Sequence, residues 1–179
     1  MSYYVRMIKL DRWEQTSSSE DDISGEAVTI DWKCQNNEWS VFKCDSYVQK
    51  NDEVNKIVLR MAGDNQKSTI DGIDLLYLDD SFIENAGLMI DPDKESVLYS
   101  LHCNLRFVNF DKIKKAIAYT IRNLKERIIS YTPEEIRNLF LNADSEYIEK
   151  YENTYHLKLK NIKKAFLVDI PKGKVFKSV

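Results

Sequence analysis

The sequence is poor in the residues that make tight turns. Its 179 residues include only five glycines and three prolines, whereas a sandwich of many short strands needs turn residues at close intervals. A disordered chain is also excluded, because such chains are low in hydrophobic residues and 43% of these residues are hydrophobic. We therefore expect an ordinary folded domain that contains both helices and strands.

Long apolar runs are also missing. No window approaches about 18 consecutive apolar residues, as a membrane-spanning helix would, and the first residues, MSYYVRMIKLDRWEQ, lack the basic and apolar regions of a secretory leader. The cysteines Cys34, Cys44 and Cys103 are odd in number and have no zinc-site spacing. These features predict a cytoplasmic protein with reduced thiols, no membrane association and no cofactor.

Sequence motifs that would name a reaction are absent as well. The chain contains no G-x-x-x-x-G-K-[ST], no G-x-G-x-x-G, no H-E-x-x-H and no G-x-S-x-G. These patterns supply, respectively, phosphate-binding backbone loops, zinc ligands with a general base, and an exposed nucleophilic serine. Whether the protein is an enzyme is therefore left open by its sequence.

Charge is divided unevenly along the chain. Residues 1–110 hold 11 Lys and Arg against 20 Asp and Glu, whereas residues 111–179 hold 15 against 9. The length suits one domain, so we predict a single domain over 1–179. The alternative is a subdivision into an acidic α/β layer at 1–110 and a basic helical and β segment at 111–179. Such asymmetry indicates two complementary faces, or an acidic or nucleic-acid partner for the basic end.

Hydrophobic periodicity predicts an α/β or α+β fold, with a central mixed sheet of about 4–5 strands and flanking helices. The predicted strands cover 2–10, 38–44 and 70–80. One predicted helix follows Asp22 or Ser24. A second runs from Asn51 or Asp52 to Gly63, with a strand at KIVLRMA as the alternative.

In the second half of the chain, hydrophobic periodicity predicts a helical segment over 111–143. Asp111 is the predicted N-cap of its first helix, and Thr132 is the predicted N-cap of a second, with Pro133 at the first helical position and Glu135 completing a capping box. Residues 155–170 alternate and then become apolar, so the C-terminal end is predicted to be rich in β structure.

The stretch DPDKESVLYSLHCNL, residues 91–105, fits two periodicities. Asp91 and Pro92 are typical of the start of a helix, which favours a helix over 96–108 with Val108 on its buried stripe. The alternative is a strand, in which His102 and Arg106 share one polar face. In the helix, His102 lies at the margin of the apolar stripe.

Three residues are candidates for catalysis. Histidine is the residue type that most often acts as a general acid or base, which makes His102 a candidate. Asp79 and Asp80 follow a buried strand, where open sheets place their ligands, and could bind Mg²⁺. For each residue the structural interpretation is favoured: a boundary histidine held by hydrogen bonds, and acids that end a strand in solvent.

Further candidates concern binding. Arg6 interrupts an apolar strand, and we expect an edge position that exposes it, or else an ion pair or an anionic ligand. The aromatic residues Trp13 and Trp39, with Tyr3 and Tyr4, suit an exposed binding face. The lysines of the basic end could bind nucleic acid, or form the wet face of an edge strand; they include Lys158, Lys160, Lys163 and Lys164.

These observations favour a non-catalytic partner protein, a regulatory or assembly subunit that binds another protein or forms a homo-oligomer. The alternative is a small metal-dependent or His-assisted enzyme acting on nucleic acid or a nucleotide, with Mg²⁺ as its cofactor. Abundant Lys, Ile and Asn hint at an AT-rich genome, so a bacterial toxin–antitoxin or phage-defence module is a hypothesis from size and composition alone.

Overall fold

The structure of the protein is a computed structural model, and it describes residues 2–14, 38–45, 50–63, 72–92 and 102–142. The strands are β1 (Tyr3–Ile8), β2 (Glu38–Cys44), β3 (Ile73–Asp79), β4 (Met89–Pro92), β5 (His102–Arg106) and β6 (Ile128–Tyr131). The helices are α1 (Leu10–Glu14), α2 (Asp52–Gly63), α3 (Asp80–Ala86), α4 (Phe110–Asn123) and α5 (Pro133–Asn142), with a 3-10 turn at Lys125–Arg127.

The strands form a six-stranded antiparallel sheet in the order β4-β5-β2-β1-β3-β6. This confirms the predicted α/β class with helices beside a central sheet, although the sheet is antiparallel and larger than the predicted mixed sheet of 4–5 strands. Strands predicted over 2–10, 38–44 and 70–80 are present as β1, β2 and β3, and the helix predicted to end at Gly63 is α2.

One face of the sheet carries the main hydrophobic core. Alternation along β1 places Tyr4 and Ile8 on that face, and Leu76 and Leu78 of β3 lie beside them. Helices α1, α3 and α4 pack their apolar stripes on the same cluster, with Trp13, Ile83, Ala86, Ile113, Ile117, Ala118 and Ile121. Burying each large apolar side chain completely contributes about 1.5–3 kcal/mol to the stability of the folded state. This packed layer therefore holds the end of β3 in place against helices α3 and α4.

Helix α4 begins two residues earlier than its predicted start. The side chain of Asn109, rather than that of Asp111, accepts the hydrogen bond from the backbone N–H of Lys112. The predicted helical segment 111–143 is also interrupted, because Ile128, which lies within it, begins β6. The run IISY is rich in β-branched residues and forms an edge strand of the described sheet after the 3-10 turn.

The predicted capping box of α5 is confirmed. Thr132 Oγ1 accepts a hydrogen bond from the backbone N–H of Glu135 at 3.2 Å, and the Glu135 carboxylate accepts the backbone N–H of Thr132 at 2.8 Å. Pro133 is the first helical residue, as predicted. The signal is strong because it lies within four consecutive residues and needs no distant partner.

The helix predicted over 96–108 is wrong where the structure describes it, since residues His102–Arg106 form β5. Leu105 lies opposite Trp39, and Cys103 lies opposite Val41, so pairing with β2 buries alternate residues of this stretch. The expected helix start fails for a related reason, because Asp91–Pro92 belongs to β4 and pairs with β5. Helix α1, helix α3 and strand β4 are elements that the sequence patterns did not predict.

The described residues fall into two compact units, one within Met1–Asn51 and Asp74–Ser130, the other within Asp52–Ile73 and Tyr131–Val179. These boundaries differ from the change in charge after residue 110. In the second unit α2 packs against α5, and the Tyr131 hydroxyl donates to Asn55 Oδ1 at 3.0 Å. Gly72 is required there because an added Cβ would lie 2.9 Å from the Tyr131 carbonyl oxygen.

Two of the predicted secondary-structure segments lie outside the described residues: the helix after Asp22 or Ser24, and the β-rich C-terminal end. In the part of the chain that the structure describes, each helix falls short of the length and apolar character that a membrane crossing requires.

Candidate functional site

Asp79 ends β3 and forms the N-cap of α3. Its Oδ1 accepts the backbone N–H of Phe82 at 2.8 Å and the Ser81 hydroxyl at 2.6 Å, and its Oδ2 accepts Nη2 of Arg127 at 2.6 Å. The helix that follows is short and ends at Gly87, whose φ of 66° is left-handed, as is typical after a helix. Asp79 therefore joins the end of β3, the start of α3 and the 3-10 turn.

These contacts decide the ionisation of Asp79. Burial of the carboxyl raises its pKa, but the hydrogen bonds from Ser81, Phe82 and Arg127, together with the Arg127 charge, outweigh burial and hold the pKa below its ordinary value. The group is a carboxylate at neutral pH. A Mg²⁺ ion bound here would have to compete with the Arg127 guanidinium, because both oxygens of Asp79 already accept hydrogen bonds.

Asp80, the other acidic candidate, begins α3. Its Oδ2 accepts the backbone N–H of Ser2 at 2.7 Å and so connects the helix start to the residue that precedes β1. Within the described residues, no three His, Cys, Asp or Glu side chains gather closely enough to hold a metal ion.

Asp79 also lines a pocket of about 340 Å³. The pocket lies where the end of β3, the start of α3, helix α4 and the 3-10 turn meet. Its described lining residues include Ser81, Phe82, Lys115, Tyr119, Thr120 and Arg127. Of the three catalytic candidates from the sequence, Asp79 alone is among them.

His102 begins β5, and its side chain lies on the face of the sheet opposite the main core. A hydrogen bond joins His102 Nε2 and Ser40 Oγ, which are 2.5 Å apart. The rings of His102 and Phe42 make an edge-to-face contact, with their centroids 5.2 Å apart. An imidazole beside a hydroxyl is an arrangement that can activate a nucleophile, and it is equally a cross-strand polar pair that stabilises a sheet.

Charged side chains continue along the same face. Arg106 Nε donates to Glu38 Oε1 at 2.9 Å, and Arg106 Nη2 lies 2.5 Å from Asp91 Oδ2. Asn104 donates to the other oxygen of Glu38 at 3.3 Å. The strand interpretation of residues 96–108 placed His102 and Arg106 together, and this is the arrangement found. Arg106 is thus held by two acids across three strands.

The catalytic candidates do not share one site. Strands β2 and β1 lie between β5, which carries His102, and β3, which ends at Asp79. Neighbouring strands are about 4.8 Å apart, so roughly 14 Å separates the two strands. A single cleft containing His102 with Asp79 and Asp80 is therefore not formed, and each candidate must be judged by its own surroundings.

The binding candidates near the N-terminus are structural. Trp13 and Trp39 are 2% and 1% exposed, and Tyr4 is also buried. The expectation of exposed aromatic anchors is therefore wrong for these three, because alternation in β1 and β2 and the docking of α1 place their rings in the core. Tyr3 is half-buried.

Arg6 does not occupy the expected edge position. It lies in β1, between β2 and β3, and its Nη1 donates to the Ser40 carbonyl oxygen at 2.6 Å. The guanidinium carbon lies 5.6 Å from the centre of the Trp39 ring, a cation–π contact. The lysines proposed to bind nucleic acid, Lys158, Lys160, Lys163 and Lys164, lie outside the described residues.

Cys103 is a core thiol. It is buried beside Val41, and burial raises the pKa of the thiol to about 11, although the Lys43 charge acts in the opposite direction. A nucleophilic cysteine needs a lowered pKa, because the thiolate is the reactive form. The side chain therefore contributes to packing.

We expect Cys103 to be alkylated about 100-fold more slowly in the folded protein than in the urea-unfolded chain at pH 8. Each pKa unit changes the thiolate fraction tenfold, and the pKa is raised from 9.0 to about 11. Peptide mass mapping after timed exposure to iodoacetamide would separate Cys103 from the other thiols. Equal rates in the two states would show that the thiol is accessible and ionised.

Comparison of the chain with known protein families, with curated proteins and with solved structures finds no match. Function must therefore be argued from the geometry.

Sequence patterns missed the exposed apolar residues at one end of the sheet. Met89, Ile90, Val108 and Phe110 are all exposed, yet Val108 was expected on a buried helix stripe. Met89 lies opposite Arg106 at the end of β5, and the rings of Phe107 and Phe110 are 6.1 Å apart. No sequence signal identifies this group, since it depends on a strand, β4, that the patterns did not predict.

Proposed function

We propose that the protein is a non-catalytic partner that binds another protein, or a second copy of itself, through an apolar corner of its sheet. We define the β4 corner as Met89, Ile90, Val108 and Phe110. The observation that carries the proposal is that four of the six exposed large hydrophobic residues of the described chain belong to β4 or follow directly after its neighbour β5.

The exposure of the β4 corner is large. Val108 is 88% exposed and Met89 is 58% exposed. Single apolar residues at a surface are normal, but several exposed apolar residues in two neighbouring segments of the chain favour a surface that binds something. Burying these side chains against a partner would contribute about 25 cal/mol for each Å² of apolar surface removed from water.

The surroundings of the β4 corner also suit a partner. Strand β4 is an edge of the described sheet, and an edge strand presents backbone groups to which another chain can add. Arg106, Glu38 and Asp91 form a charged group at the same end of the sheet. An apolar centre beside a polar rim is the usual composition of a protein interface.

We expect Val108→Glu and Met89→Lys each to weaken the complex about tenfold, because a buried unpaired charge opposes association. The assay is the mass of the purified protein in solution, alone and with the partner recovered from its native host, followed by titration of the variants. Met7→Lys is the matched control, since Met7 is exposed and lies outside the β4 corner.

Two outcomes would contradict the proposal. One is a monomer that recovers no partner, which would leave the catalytic alternative. The other is a complex that Val108→Glu and Met89→Lys weaken no more than Met7→Lys does. The narrower proposal, a cytoplasmic regulatory or assembly subunit of a bacterial toxin–antitoxin or phage-defence module, is supported only by chain size and composition.

A further inference from the structure

A pocket of about 340 Å³ lies where the end of β3 meets helices α3 and α4 and the 3-10 turn. Ligand pockets in proteins are typically about 300–1,000 Å³, and a cavity of about 150 Å³ already holds benzene. The described lining residues all belong to one compact unit of the chain, and none of them belongs to the β4 corner. The pocket therefore has the size of a small-molecule site that is separate from the proposed partner surface.

The charged groups of the lining already have partners. Asp79 and Arg127 form an ion pair at 2.6 Å, and the Ser81 hydroxyl donates to Asp79. The Thr120 hydroxyl donates to a backbone carbonyl oxygen of α4 at 2.9 Å, and Lys115 also makes an interaction of its own. A charged ligand would lose hydration and compete with these contacts, whereas an uncharged ligand leaves them intact. The lining therefore favours a ligand without charge.

The walls of the pocket favour a flat apolar group. Phe82 of α3 and Tyr119 of α4 line it, together with Ala116 and Leu124. Tyr119 is 48% exposed, so its ring has surface that a ligand can cover. Aromatic side chains pack well against other rings and bury a large apolar area. The walls therefore suit an aromatic ligand.

One lining residue supplies a means of polar recognition. Asn85 of α3 is exposed and lines the pocket. Its amide has a carbonyl oxygen that accepts hydrogen bonds and an NH₂ group that donates them. Such a side chain pairs with a ligand group that presents a donor beside an acceptor, as the edge of adenine does. A carboxamide presents the same pair of groups.

We propose that this pocket binds an uncharged aromatic compound that carries a hydrogen-bond donor beside an acceptor. Phe82 and Tyr119 pack against its ring, and Asn85 pairs with the donor and the acceptor. An aromatic carboxamide and a nucleobase share this chemistry. The proposal does not depend on the β4 corner, because the two surfaces have no residue in common.

The test is titration of the full-length protein with five probes, followed by the NMR signals of each probe. Benzamide and adenine carry both the ring and the donor–acceptor pair. Methyl benzoate keeps the ring but has no donor, benzoate is charged, and acetamide has no ring.

We expect the tighter of benzamide and adenine to bind with a Kd of about 1 mM or below, and its identity assigns the ligand as a carboxamide or a nucleobase. Methyl benzoate should bind about tenfold more weakly than benzamide, because hydrogen bonds to the Asn85 amide are lost. Benzoate and acetamide should each be weaker than benzamide by at least about tenfold, because one brings an unpaired charge and the other has no ring.

Variants then assign the binding to the pocket. Asn85→Ala is expected to weaken benzamide about tenfold and to leave methyl benzoate unchanged, because only the hydrogen bonds are lost. Tyr119→Ala is expected to weaken both probes by a similar factor, whereas Tyr119→Phe keeps the ring and should bind as the wild type does. Asn138→Ala is the control, since Asn138 is an exposed asparagine of α5 that is not among the lining residues.

The proposal is overturned if neither benzamide nor adenine binds at 5 mM, about five times the expected Kd. Methyl benzoate or benzoate binding as tightly as benzamide would also overturn it, and this comparison needs only the wild-type protein. The same holds if Asn85→Ala and Tyr119→Ala bind as the wild type does, or if Asn138→Ala weakens binding equally. Asn85 and Tyr119 are exposed, so the variants should unfold at the wild-type temperature, and that measurement accompanies each titration.

Discussion

Asp79→Ala is expected to destabilise the protein by about 3 kcal/mol. Loss of the N-cap of α3 accounts for about 1 kcal/mol, since the backbone N–H of Phe82 loses its acceptor. The remainder comes from Arg127, which would be left without its carboxylate partner in a largely buried position, with 23% of its side chain exposed. Removing one member of such a pair costs more than the pair contributes, because the other charge stays desolvated.

Two further variants separate these contributions. Asp79→Asn keeps a side chain that can cap the helix but removes the charge. We therefore expect it to lower the free energy of unfolding by about half as much as Asp79→Ala does. Asp74→Asn is the control, because Asp74 also lies in β3 and accepts a hydroxyl, that of Ser130, at an exposed site. Its effect should stay within about 0.5 kcal/mol. The measurement is the free energy of unfolding in urea, and equal effects of all three variants would contradict the assignment.

The same ion pair predicts a pH dependence with a definite sign. The pKa of Asp79 in the folded protein lies below its ordinary value, so folding favours the ionised form. The contribution of Asp79 is complete above the pKa of the unfolded chain, about 3.9, and is lost as the pH falls through the lower folded value. Wild type and Asp79→Asn should therefore differ most at neutral pH and converge in strong acid.

The success of sequence-based prediction depended on how far apart the interacting residues lie. The capping box of Thr132 and Glu135 needs only neighbouring residues and was predicted correctly, as were the alternating strand β2 and the buried strand β3. A local signal for α3 was also present, with Asp79 as a cap and Gly87 after the last turn, but it was interpreted as strand-end acids. The contact of Asp79 with Arg127, 48 positions away, has no local signal.

The stretch around His102 shows the opposite case, in which a local signal misleads. Asp91 and Pro92 resemble a helix start, yet both lie in β4 and pair with β5. The periodicity of residues 96–108 fits either element, and the choice is made by Trp39 and Val41, which lie opposite Leu105 and Cys103. Tertiary pairing therefore overrides local preference, and it also separates His102 from the two aspartates.

Trp39→Ala is expected to lower the free energy of unfolding by about 3–5 kcal/mol, the usual cost of truncating a buried large aromatic residue. Trp39 is 1% exposed and lies in β2 against the main core. Its ring also carries the cation–π contact with Arg6. The substitution would leave a cavity and would remove the ring over which the Arg6 guanidinium lies. The loss of packing and the loss of the cation–π contact both lower the free energy of unfolding.

Trp39→Phe keeps an aromatic ring in the core and should recover much of this loss, which makes it the matched variant for urea unfolding. The comparison also decides between two roles for Trp39. A core residue affects unfolding whether or not a partner is present, whereas an exposed binding residue would leave unfolding within about 0.5 kcal/mol of wild type and weaken only the complex. If Trp39→Ala instead left unfolding unchanged and weakened only the complex, the burial of Trp39 would be refuted. The aromatic residues of β1 and β2 would then replace the β4 corner as the candidates for the partner surface.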